Sequence, residues 1–313
     1  MAFKYLDNVG NVRLIDTNFF GFPRFNAAYI VKGEKKTAMI DTGDSNQLEA
    51  VRAEMARARV TMKEIDYIFI THCEHTDHAG CAAYLARENP DVKICINPIG
   101  EKYMTHPEVE AEERQRVLPP GMADRFGKML PADPKQLYML KDGEEFDLGG
   151  DTLKVIFAPG HQPSGFVVEE SKNKMLFIND LCGQFFAEFD VALILTPDKS
   201  SPAKALVSLE KLAKNGYEWL AMGHFGFSDN PNMVMQGAMS RMERLISIAK
   251  KCDAAGKLDE LWDTIMDQVV APEIDKIRRL REETFYVYYR DHLGPNLCNG
   301  FKWFYERYRE GRD

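Results

Sequence analysis

This chain of 313 residues has little histidine and little cysteine, seven of the first and six of the second. Cys73, Cys81, Cys95, Cys182, Cys252 and Cys298 form no C-x-x-C pair and no small-scaffold spacing. That pattern speaks against a disulfide framework and for reduced thiols in a cytoplasmic protein. No apolar run is long enough to span a bilayer, and residues 1–30 lack a basic start followed by an apolar core. Neither a membrane nor a secretory route is therefore expected. Positive charge is short as well: 40 Lys and Arg face 48 Asp and Glu, a net charge of −8. Such a balance offers no footprint for nucleic acid or an anionic membrane surface. Solenoid repeats and low-complexity tracts are missing too. What remains is an ordinary globular composition, 45% hydrophobic, long enough for one large domain or two.

Against that scarcity, three of the seven histidines fall within seven residues. The stretch IDYIFITHCEHTDHAG, residues 65–80, opens with the apolar run Tyr67–Ile70, which predicts a buried strand, and closes in small residues that predict a helix. His72, Cys73, Glu74, His75, Asp77 and His78 lie between. Imidazole and carboxylate are ligands for zinc and other first-row divalent metals. Adjacent Asp77 and His78 diverge, so they face a different ion from His72 and His75. Asp77 also suits a helix N-cap.

Three further histidine- or aspartate-bearing turns follow strands. TLKVIF, 152–157, runs into Ala158-Pro159-Gly160-His161. KMLFI, 174–178, ends in Asn179-Asp180. YEWLAM, 217–222, ends in Gly223-His224. Strand ends of this kind display side chains and converge at one edge of a sheet assembly. Upstream, VRLI, AAYIVK and TAMID predict short strands, the last ending at Asp41, which either supports the site from behind or is a turn residue; spacing alone favours the turn. Ser45 reads as the N-cap of a helix carrying Leu48, Val51 and Met55. Ser201-Pro202 starts another helix.

Residues 100–134 are polar and proline-punctuated, and predict a helical insertion that acts as a flap. His106 there reads as a surface residue. Phe185, Phe186 and Phe189 suggest an apolar surface near the site or ordinary packing. Beyond residue 226 the pattern is helical: Met233–Lys250, 256–270, a basic helix after Pro272, and a last helix near 297–310. Leu297, Phe301, Phe304, Tyr305 and Tyr308 share one face of that last helix, which packs on the domain or on a second copy in a homodimer. His292 reads as structural, and Met222, Met233, Met235 and Met239 as core filling.

THCEHTDHAG, APGHQPSG, LFIND and AMGHFG, with IDTG upstream, resemble the successive motifs of the metallo-β-lactamase superfamily, in order, over about residues 11–226. The resemblance implies an α/β (α+β) fold, a four-layer αββα sandwich. Residues 1–226 would form the core domain with the insertion, and 227–313 a helical C-terminal extension packed on it. It also implies two divalent metal ions, zinc first, with iron or manganese as alternatives. Carried over by position, His75 and His161 belong to one metal site, Asp77, His78 and His224 to the other, and Asp180 bridges them.

The family motif H-x-H-x-D-H is one residue longer here. The first ligand is therefore His72 on a small bulge, or Cys73 by strict counting, or Glu74 with His72 as in the family's diiron flavoproteins. The implied activity is hydrolysis of an ester, thioester or lactone by a metal-bridging hydroxide. Asp77 and Asp180 would be its catalytic carboxylates and a small molecule its substrate. A diiron or mononuclear-iron oxidoreductase on the same fold is the alternative.

Overall fold

A computed structural model describes residues 5–118, 121–186, 191–194, 196–277 and 300–312. Two sheets dominate. The first has seven strands in chain order: β1 (Asn8–Val9), β2 (Val12–Asp16), β3 (Ala27–Lys32), β4 (Thr37–Ile40), β5 (Tyr67–Ile70), β6 (Lys93–Ile96) and β7 (Leu137–Met139). Pairing is antiparallel as far as β4 and parallel from β4 to β7. In the second sheet, β8 (Glu145–Asp147), β9 (Thr152–Phe157), β10 (Phe166–Glu170) and β11 (Met175–Asn179) pair in sequence. A two-stranded ribbon, β12 (Gln184–Phe186) and β13 (Val191–Leu193), then interrupts the order. The second sheet resumes with β14 (Trp219–Met222), parallel to β11, and β15 (Gly226–Ser228) at its edge.

The helices are α1 (Leu48–Arg57), α2 (Thr76–Ala79), α3 (Ala82–Ala86), α4 (Glu101–Thr105), α5 (Glu108–Val117), α6 (Pro202–Leu212), α7 (Pro231–Ala254), α8 (Leu261–Ile265), α9 (Ala271–Ile277) and α10 (Gly300–Arg309). Three apolar cores separate the layers. Between the sheets, Tyr29, Phe69, Phe146, Phe166, Phe177 and Phe227 interdigitate; Phe69 meets Phe146 edge to face, with ring centres 5.0 Å apart. Outside the first sheet, Ile30, Met39, Ile68 and Ile94 pack on Val51, Met55, Leu85 and Tyr103 from the helices. Outside the second, Val167, Leu176 and Leu220 pack on Leu209, Val234, Met235, Phe301 and Phe304. Strands covered on both faces need apolar side chains on both, which is why YIFI and MLFIN read as continuous runs. The result is the expected αββα order.

Direction places the site. β9 and β10 are antiparallel, β10 and β11 are antiparallel, and β11 and β14 are parallel. The C-terminal ends of β9, β11 and β14 therefore share one edge. The ends of β4 and β5, parallel to each other, share an edge of the first sheet.

Several local expectations change. Asp44, not Ser45, caps the turn at 45–47, accepting from Asn46 N, and Gln47 precedes α1. His75, not Asp77, occupies the N-cap position of α2. Pro272 lies within α9 rather than before it. Phe185 and Phe186 are buried in the outer core, and Met233 is 41% exposed while Met222 and Met235 are fully buried. Phe189, His292, Leu297 and Cys298 lie outside the described residues.

Candidate metal centre

Five chain segments meet at the shared edge: the 71–78 loop after β5, His161 after β9, Asp180 after β11, His224 after β14, and Asp41 after β4. Asp77, His78, Asp180 and His224 each bring one ligand atom within 4.8 Å of the others, and His72, His161 and Asp180 do the same. Asp180 belongs to both groups. Its Oδ2 lies 3.2 Å from His78 Nε2, 3.2 Å from His224 Nε2 and 3.5 Å from His161 Nε2. This close approach needs Gly223: a Cβ there would lie 2.4 Å from Asp180 Oδ1 and 2.8 Å from His78 Cε1.

The imidazoles are oriented from behind. His78 Nδ1 lies 3.1 Å from Asp41 Oδ2. His224 Nδ1 lies 3.0 Å from the Phe25 carbonyl. Both partners only accept, so each Nδ1 carries a proton and donates, and each Nε2 is turned toward the site. Each Nε2 faces carboxylate oxygens. Asp77 Oδ2 is 3.3 Å from His224 Nε2, and neither Asp180 oxygen has a hydrogen-bond partner. His72 Nε2 and Asp77 Oδ1 are also buried without one. Imidazoles and carboxylates gathered this closely out of water need positive charge among them, as protons on the rings or as bound cations. Divalent cations fit this donor set.

The ionisation pattern agrees. Burial opposes charge on His78 and His224, but Asp180 and Asp77 override it: His78 is raised well above the usual imidazole value and His224 to about 9. In the same way burial disfavours the Asp180 carboxylate, while His224 and His78 hold it well below the usual range. The edge thus draws in positive charge, as protons if nothing else is supplied. Burial and neighbouring imidazoles keep His72 neutral, and burial lowers His161 to about 4 despite Asp180. Neutral imidazole is the form that binds metal.

Of the three candidates for the first ligand, the fold brings His72 inward. Its ring centre is 4.9 Å from that of His161. Glu74 turns away: its carboxylate accepts from Ser164 N, Ser164 Oγ and Cys73 N. Cys73 is buried against Gly100, and burial raises its thiol well above the usual value. The extra residue of the motif is absorbed at Cys73-Glu74. His75 stands outside both groups. Its Nε2 lies 2.7 Å from Gln162 Nε2, which also donates to the Asp198 carbonyl, so His75 Nε2 accepts there. Its ring centre is 6.2 Å from that of His161. His106 is 67% exposed and pairs with Glu108, away from the site.

Asp41 is tied to the site rather than serving as a plain turn residue. It has φ +57°, accepts from Thr71 N and Oγ1, and holds His78. Sequence spacing gave no warning of the roles of Ser164 and Gln162, whereas the 100–134 insertion expected as a flap does supply much of the cavity wall. A cavity of about 390 Å³ opens over His161, Asp180 and His224. Its apolar wall is Phe19, Val117, Leu118, Met122 and Phe126, and its charged wall includes Glu110, Glu113, Arg114 and Lys199. The aromatic surface expected from Phe185 and Phe186 is therefore supplied by Phe19 and Phe126. Glu110, Glu113, Arg114 and Val117 follow an i, i+3, i+4, i+7 spacing on α5, which was the available signal.

Residues 21–224 match the family model of the metallo-beta-lactamase superfamily. Over 168 residues the chain is 30% identical to a metallo-beta-lactamase fold-containing protein of Sulfurisphaera tokodaii, covering 53% of this chain and 60% of that protein. Over 161 residues it is 29% identical to the coenzyme F420H(2) oxidase of Methanothermobacter marburgensis, covering 50% of this chain and 34% of that one. The chain thus spans less than two thirds of these relatives' own lengths. Among solved structures, a metallo-beta-lactamase family protein of Thermus thermophilus superposes with a TM-score of 0.64 at 16% identity, covering 97% of this chain and 95% of that one. That likeness is one of fold.

Proposed function

Because the chain belongs to the metallo-β-lactamase superfamily, we propose that its convergent imidazoles and carboxylates hold two divalent cations, zinc first, for hydrolysis of a small ester, thioester or lactone. Asp77, His78, His224 and Asp180 would hold one ion, and His72, His161 and Asp180 the other. His75 would serve at the cavity wall. The observation that carries the reading is the convergence of three imidazole Nε2 atoms, those of His78, His224 and His161, on Asp180 Oδ2, with His78 and His224 held from behind by Asp41 and the Phe25 carbonyl.

Such ions supply Lewis acidity and a water that ionises near neutral pH. The chain's own residues do the rest. Asp180 holds the two halves of the site at a fixed separation. Asp77, with Oδ1 unpartnered, is placed to accept and return a proton. Phe19, Met122 and Phe126 exclude bulk water from the reacting side. Gln162, braced on Asp198, keeps His75 at the wall.

A second reading, an iron oxidoreductase, is favoured by relatives named as a coenzyme F420H(2) oxidase and a flavo-diiron protein of Clostridium acetobutylicum. Glu74, the extra carboxylate that reading would draw on, is engaged by Ser164 and Cys73 instead. The test is hydrolysis of a panel of acyl thioesters, lactones and aryl esters by metal-loaded protein, alongside its visible spectrum. Turnover by a colourless protein supports hydrolysis; a coloured iron protein without turnover overturns it. Among the described residues no helix is long and apolar enough to cross a membrane.

A further inference from the structure

The apolar wall of the cavity is fixed to the loop that carries the candidate metal ligands. Val117, Leu118 and Phe126 are only half-buried, and line the cavity beside the buried Phe19 and Met122. Phe126 is held through both of its chain neighbours. Asn46 Nδ2 donates to the Arg125 carbonyl at 2.9 Å, and the Gly127 amide donates to both Asp44 oxygens, each at 3.0 Å. Only glycine allows that approach, because a Cβ at 127 would lie 2.7 Å from the Asn46 amide nitrogen and 2.8 Å from Asp44 Oδ1. The same Asp44 carboxylate accepts from Thr76 Oγ1, next to Asp77. The Phe126 ring meets Phe20 edge to face at 4.9 Å between centres, and Phe19 at 5.9 Å. This surface therefore keeps its place relative to the reacting centre.

Among the described residues, both basic side chains of the wall are engaged by the wall itself. Arg114 Nη1 donates to Glu110. Lys199 donates to Glu113 and, at 2.8 Å, to Tyr103 Oη. A charged substrate end arriving here must break one of these pairs or stay unpaired out of water, and both are costly. The wall's own carboxyl shows the opposition: burial raises Glu110 to about 8 even with the Arg114 guanidinium beside it. We propose that the substrate carries an uncharged, apolar chain on the acyl side of the bond that is cut, seated against Phe126, Leu118 and Phe19, and that the cavity selects against acyl compounds with a charged remote end.

The proposal rests on the hydrolytic reading of the same cavity and narrows its substrate class. The gain comes from apolar surface removed from water, and it grows with the area covered. Each methylene buried is worth about three- to fourfold in affinity. A volume of about 390 Å³ is near the small end for ligand cavities, so the gain levels off once a short chain has covered the wall.

Calorimetric titration of zinc-loaded protein with acetohydroxamate, butyrohydroxamate and hexanohydroxamate tests this without needing turnover. All three offer the same metal-binding head; only the chain differs. Affinity should rise about tenfold at each two-carbon step. Adipic acid monohydroxamate and 6-aminohexanohydroxamate, of the same length as the longest but with a charged end, should each bind about tenfold or more weakly than hexanohydroxamate. Phe126→Ala should weaken hexanohydroxamate far more than acetohydroxamate, and Leu118→Ala, a smaller change, should reduce the chain-length step as well. A wall that merely supports the fold predicts equal weakening of all three ligands in both variants. A flat series, no binding, equal or tighter binding of either charged analogue, or an unchanged step in both variants would each overturn the apolar assignment. Turnover of acetyl, butyryl and hexanoyl thioesters, measured separately, distinguishes the two failures: a steep hydroxamate series with no turnover removes the hydrolytic reading and leaves the apolar subsite standing.

Discussion

Asp41 Oδ2 accepts a hydrogen bond from His78 Nδ1 at 3.1 Å, across 37 residues of sequence. Asp41 is itself held by the Thr71 amide and hydroxyl. This chain of contacts decides which nitrogen of His78 faces the site. Asp41→Asn keeps the size and the Thr71 contacts but weakens the acceptor. Metal affinity should fall about 10- to 100-fold, the usual cost of losing such a partner, with little change in fold. A competition titration against a chelator measures it; unchanged affinity would remove Asp41 from the account.

Ser164 fixes the bulge that sends His72 inward, because it takes both oxygens of Glu74. Ser164→Ala should loosen the His72 group more than the His78 group. Sequential metal release followed by calorimetry should then show one site weakened and the other near its original affinity. Equal weakening of both would mean that Glu74 does not brace His72.

Away from the site, Asp151 and Glu170 are neighbouring carboxyl groups. Burial, then Asp151, raise Glu170 to about 8. A carboxyl group whose folded value lies above its unfolded value binds more protons folded than unfolded. Its effect is neutral below about 4.3, and stability then falls as pH rises from there through about 8. The slope is at most about 1.4 kcal/mol per pH unit for one proton. Glu170→Gln should flatten that part of the wild-type profile, read as the difference in urea midpoint between the two proteins across pH 5 to 9. Parallel profiles would show that Glu170 does not titrate there.

Phe304 on α10 is fully buried beside Phe301 in the outer core. Phe304→Ala should cost about 3–5 kcal/mol and lower Tm by several degrees. A change within error would mean that α10 contributes little to the core.

How much of this was legible in the residues depends on the range of the forces involved. The apolar runs at 67–70 and 175–178 were, because a strand covered on both faces must be apolar throughout. The histidine- and aspartate-bearing turns were legible because metal ligands are few in kind. For Asp41 spacing favoured the turn over the supporting role it has, since that role comes from a left-handed backbone and a partner across 37 residues. The fate of His72, Cys73 and Glu74 was undecidable from spacing; it depends on Ser164, 90 residues from Glu74. His75 was grouped with His161 by position, but the Gln162 amide holds it at the wall. Arg114 escaped notice because an i, i+4 Glu–Arg pair ordinarily marks a solvated helix face.

The central claim is that Asp180 joins two cation-binding groups. Elemental analysis of protein purified without added metal, expressed as ions per chain, tests it most directly. The account predicts close to two ions in the wild type, one for each ligand group, and loss of about one with nearly all turnover in Asp180→Ala. A wild-type protein that takes up no divalent metal, or an Asp180→Ala variant that keeps both ions, would contradict it.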